Sequence, residues 1–71
     1  MKIEFDNELY IRKAIEQGII DYNDITPIQL WEDNNKYICE IEHTGDEAEL
    51  IGLEFSNYVL NMTLGMAGNE L

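Results

Sequence analysis

At 71 residues the chain holds one domain, with a core near the lower limit for independent folding. Its apolar content of 45% is that of an ordinary globular protein and argues against wholesale disorder. Fifteen Asp and Glu against four Lys and Arg leave a formal net charge of −11, which argues against direct nucleic-acid or membrane contact and steers a basic partner toward it. The single cysteine, Cys39, has no partner for an internal disulfide, as in a reducing compartment. Met1 to Glu8 carries four charges and no apolar leader, and no segment reaches the roughly 20 apolar residues of a membrane span, so a cytoplasmic location is expected.

Lys2-Ile3-Glu4-Phe5-Asp6 alternates with period two and predicts a short strand with Ile3 and Phe5 on its inner side. Asp6 or Asn7 offers a helix cap, and Glu8 places a negative charge in the first turn of a helix running to Tyr22. Ile11, Ala14, Ile15, Gly18, Ile19 and Tyr22 form the inner stripe of that helix. Gly18 costs about 1 kcal/mol relative to alanine inside a helix, and its place on the stripe predicts a close approach by a neighbour.

Ile28 to Trp31 and Tyr37 to Glu42 read as two strands of a hairpin joined through Asp33-Asn34-Asn35-Lys36, residues that tolerate positive φ. Pro27 places the first of these strands at the sheet edge and the second at its centre, with the N-terminal strand on the far side. Gln29 and Trp31 share a face opposite Ile28 and Leu30. Asp46 with Glu49 resembles a capping box and opens a long helix to about Met66. Beyond Leu64 two glycines predict a frayed tail.

The long helix carries two apolar faces where a helix seated on its own domain needs one. Ala48, Ile51, Phe55, Tyr58, Val59 and Met62 form the first, and Leu50, Leu53, Leu60 and Leu64, with Asn57 among them, form the second. The second face predicts a docking surface, unless the first helix or the tail wraps over it. Asn57 is the residue that would set register there.

The chain holds one His and one Cys, and neither a nucleophile–base pair, a four-ligand zinc set nor a phosphate-binding loop is present. Cys39 shares a face with Tyr37 and Ile41 and is expected to be a buried, inert thiol. Acidic clusters at Glu40/Glu42 and Asp46/Glu47/Glu49 lack EF-hand spacing. No enzyme activity, cofactor or metal is expected.

The phrase Glu8-Leu9-Tyr10-Ile11 leading into Lys13-Ala14-Ile15 and closing on Asp21-Tyr22 resembles the first helix of HxsD-like proteins, the small D components of His-Xaa-Ser peptide systems. Glu54-Phe55-Ser56-Asn57-Tyr58-Val59-Leu60 is similar to the Asn-centred signature near that family's C-terminus. The basic ending of the family is replaced here by Gly65-Met66-Ala67-Gly68, which marks a divergent member. The resemblance implies a non-catalytic accessory protein that binds a precursor peptide or its radical-SAM maturase.

The expected fold is α+β in the order β-α-β-β-α, a three-stranded antiparallel sheet with both helices on one face. The expected function is a protein- or peptide-binding module, with Leu50, Leu53, Asn57, Leu60 and Leu64 on one contact surface. Gln29 and Trp31 lie on a second, where a basic or His-containing segment adds to the exposed edge from Ile28 to Trp31. A homodimer through the long helix is expected. The alternatives are an acidic inhibitor or nucleic-acid mimic on a larger enzyme's basic surface, and a purely structural homodimer.

Overall fold

A computed structural model of the protein describes residues 1–43 and 45–69, with side chains as far as Ala67. Five elements follow in chain order: β1 (Lys2–Asp6), α1 (Arg12–Tyr22), β2 (Ile28–Asp33), β3 (Lys36–Ile41) and α2 (Ala48–Asn69). The strands form one antiparallel sheet in the order β1-β3-β2, so the fold is the expected α+β arrangement.

The hairpin turn explains the sheet's register. Asn34 (φ 51°) and Asn35 (φ 66°) adopt successive left-handed conformations, the requirement of a two-residue turn whose twist matches its strands. Asp33 therefore pairs with Lys36, and the register places Leu30 and Ile3 on either side of Cys39. Ile3, Phe5, Ile28, Leu30, Tyr37, Cys39 and Ile41 all project from one face of the sheet, and both helices cover it. Ile15 of α1 and Ile51, Phe55 and Val59 of α2 complete the core. Phe55 sits at its centre, edge-on to Phe5 and Tyr22 with ring centroids 6.2 and 5.4 Å away.

Two glycines bring the layers together. A Cβ on Gly18 would lie 3.1 Å from the Phe55 ring and 3.3 Å from Val59, so α1 touches α2 through the bare backbone predicted from its stripe. A Cβ on Gly52 would lie 2.7 Å from the Met1 sulfur and 3.3 Å from Ile3 Cδ1, which seats α2 against β1 in the same way. Its sequence neighbours gave no sign of this second contact, because Met1 and Ile3 lie 51 and 49 positions away and only the tertiary fold joins them.

Three boundaries differ from expectation. Helix α1 begins at Arg12, not near Glu8. The Asp6 carboxylate accepts the Glu8 N–H at 2.8 Å, and the Asp6 carbonyl accepts the Leu9 and Tyr10 N–H groups. That local turn competes with helix formation and lays the Tyr10 ring 4.9 Å from Phe5. Glu8 therefore does not serve the α1 dipole, and no acidic residue occupies its first turn. Arg12 stands there instead, its guanidinium held by Glu16 (3.3 Å) and by Glu32 of β2 (2.6 Å). The expected side-chain cap is also absent. Ile11 occupies the cap position, and its N–H donates to Thr63 Oγ1 of α2 at 3.4 Å. Helix α2 starts at Ala48, with the Glu47 carbonyl accepting its first bond from Ile51. At the other end α2 continues through Gly65 to Asn69 where fraying was expected, since each added residue gains a hydrogen bond once a helix is nucleated. The remainder of that expected tail, residues 70–71, lies outside the described residues.

Candidate functional site: two exposed surfaces

Helix α2 has its two faces separated by the fold itself. Ile51, Phe55 and Val59 are buried against the sheet and α1. Half a turn away around the helix, Leu50, Leu53, Leu60 and Leu64 are 57%, 60%, 41% and 61% exposed, and Asn57 is exposed among them. Neither α1 nor the described part of the tail covers them. The alternative in which the chain wraps its own leucine face is thereby excluded for the described residues. The five residues fall on one row with spacings of three and four, which is the pattern of a helix–helix seam.

The second surface is the uncovered face of the sheet with its β2 edge. Here the register sets Ile38 between Trp31 and Glu4, and Glu40 between Gln29 and Lys2. Trp31 is 36% exposed, with the Lys2 ammonium 5.6 Å from its ring centroid. Lys36 pairs with Glu4 at 3.1 Å across the same face, and the N-terminal amine pairs with Glu40 at 2.8 Å. Ile38, half-buried beside Trp31, belongs to this surface and was not singled out in the sequence. Its parity within the strand was legible, but its neighbour was not until the register was known.

The ladder corrects which amides of β2 face outward. Glu42 donates its N–H to the Pro27 carbonyl at 3.2 Å. Antiparallel bonding alternates, so Gln29, Trp31 and Asp33 also turn their backbone groups toward β3, leaving those of Ile28, Leu30 and Glu32 at the free edge. The unpaired row expected along Ile28 to Trp31 is thus every second residue. Gln29 and Trp31 contribute side chains on the open face, and their neighbours contribute the edge amides. The leucine row and the Trp31 surface lie on opposite sides of the domain, because the core-facing side of α2 and the core-facing side of the sheet are packed together between them.

Cys39 is buried, and desolvation pushes its thiol up to about 12 from 9.0. The raised value favours the neutral thiol in the folded state, so the thiolate that reacts or ligates is suppressed. A thiol-specific reagent at neutral pH should leave Cys39 unmodified in the native chain and label it once denaturant is added. Rapid native labelling would show that β3 opens. His43 is partly exposed beyond β3. Among the described residues no three His, Cys, Asp or Glu side chains are placed to hold a metal ion. Between the helices, the Tyr58 hydroxyl donates to the Asp21 carboxylate, and that bond, with desolvation behind it, raises the Tyr58 pKa. A shallow concavity near the end of α2 is lined by Asn61, Met62, Gly65 and Met66. No helix among the described residues is long and apolar enough to cross a membrane.

Comparison with known protein families, with curated proteins and with solved structures finds no match to this chain.

Proposed function

We propose that this protein is a non-catalytic binding module that receives an extended, basic or His-containing peptide along β2, as an accessory of a ribosomal-peptide maturation system. The observation that carries this reading is the free β2 edge flanked by the exposed Trp31. Outward N–H and C=O groups on Ile28, Leu30 and Glu32 supply the hydrogen bonds of strand addition, which is independent of the incoming sequence. Trp31 supplies an aromatic anchor of the kind that dominates binding energy at protein contacts. The net charge of −11 favours approach of a cationic segment. The maturation context rests on the resemblance of residues 8–11, 13–15, 21–22 and 54–60 to HxsD-like proteins, which implies a precursor peptide or its radical-SAM maturase as the partner.

Amide hydrogen exchange with a synthetic His-Xaa-Ser repeat peptide containing lysine tests the site. Protection should rise at Ile28, Leu30 and Glu32, with little change at Gln29 and Trp31, whose amides are already in the ladder. A rise confined to α2 would move the peptide to the leucine face, and no rise anywhere would overturn the proposal. Trp31→Ala should weaken the same peptide by about tenfold to a hundredfold, the range for an interface aromatic.

A further inference from the structure

The leucine row of α2 is independent of the β2 edge, and its pattern names its own occupant. We propose that two copies of this chain pair through the outer faces of α2 in antiparallel orientation, with Asn57 near the two-fold axis.

The first ground is self-complementarity. Leu50 and Leu64 lie seven residues to either side of Asn57, with Leu53 and Leu60 between. The row therefore reads almost alike from its two ends. An antiparallel copy sets leucine against leucine along the whole length and brings the two Asn57 amides within reach of each other. A symmetric dimer requires the same patch on both subunits, and a row of this kind meets that requirement without any second protein. A single polar residue inside such a seam fixes register and orientation, because any slip would bury its amide against a leucine.

The second ground is charge, which also chooses the orientation. The carboxylates that border the row, Glu49 and Glu54, stand at its N-terminal half. From Phe55 to Asn69 the helix carries no charged residue. The strong acidity of the chain is therefore absent from the C-terminal half of the proposed interface. A parallel pair would place Glu49 of one copy beside Glu54 of the other, a like-charge contact at the rim of an apolar seam. An antiparallel pair sets those carboxylates against Asn61, Thr63 and Gly65 of the partner copy, and it opposes the two helix dipoles favourably.

The consequence is a four-layer dimer, sheet, helix, helix, sheet. The outer face of α2 points away from the sheet, so pairing buries the leucines and leaves both Trp31 surfaces and both β2 edges on the outside. The dimer is then bivalent, able to engage two segments of one repetitive peptide and to gain avidity from their linkage.

Cross-linking reads the orientation directly. Leu50→Cys and Leu64→Cys are made singly, at exposed positions where the fold does not depend on the side chain, and Cys39 stays silent because it is buried. The dimer of each variant is first verified by sedimentation, and the two are then mixed and treated with a short bismaleimide. In the antiparallel pair position 50 of one copy adjoins position 64 of the other, while two copies of position 50 lie about 21 Å apart along the seam. The expected result is a covalent 50–64 heterodimer and no 50–50 product. A 50–50 product would establish a parallel pair, and a monomer in sedimentation would remove the dimer altogether. Either outcome overturns this proposal while leaving peptide binding at β2 to stand or fall by its own exchange pattern.

Discussion

Leu53→Glu/Leu60→Glu should convert the proposed α2-paired dimer to monomer while leaving the fold intact. Both side chains are exposed on the single copy and lie outside the core cluster, so circular dichroism and the melting temperature of the variant should stay near those of a monomeric wild type. Across a symmetric interface the two changes place four carboxylates in an apolar seam of a chain already at −11. Burial of each leucine is worth about 1.5–3 kcal/mol before association costs. With about 1.4 kcal/mol per factor of ten, loss of two leucines per copy should weaken association by at least a thousandfold. Sedimentation equilibrium of both proteins decides. A wild type that is already monomeric at high micromolar concentration would show that the bare leucines serve something other than self-association.

Phe55→Ala should bring the domain to the edge of unfolding. Phe55 is fully buried, contacts the sheet through Phe5 and the end of α1 through Tyr22, and fills the space that Gly18 leaves open. Truncating a buried phenylalanine costs about 3–5 kcal/mol. A domain of this size has a total stability of only about 4–10 kcal/mol. At about 4–8 °C per kcal/mol, the melting temperature should fall by more than 10 °C, and much of the population should unfold near body temperature. A shift of only a few degrees would mean that the core repacks around the cavity, and that the two helices are held chiefly by contacts such as Tyr58 with Asp21.

These two variants act on opposite faces of one helix, and the separation of their effects follows from how α2 is built. One face supplies the core through Ile51, Phe55 and Val59, and the other carries no core residue. A substitution can therefore report on association or on folding with little crosstalk. This also permits the outer face to be an interface without any cost to the fold of the single chain.

Periodicity in the sequence determined most of the architecture. Alternation in Lys2–Asp6, spacing of three and four in α1 and α2, and the Asn34-Asn35 turn are local signals, because side-chain direction repeats every two residues in a strand and every 3.6 in a helix. They placed the five elements, the central position of β3, the burial of Cys39 and the doubled face of α2. Tertiary structure decided what no local signal carries. The Asp6 turn and Thr63, far along the chain, moved the start of α1 to Arg12. The register of three strands put Ile38 and Lys2 beside Trp31, and turned the amides of Ile28, Leu30 and Glu32 outward in place of a continuous row. Only the packed fold could show that nothing in the described chain covers Leu50, Leu53, Leu60 and Leu64. A helical pattern marks which residues share a face, but whether that face is buried depends on what the rest of the chain brings to it in space.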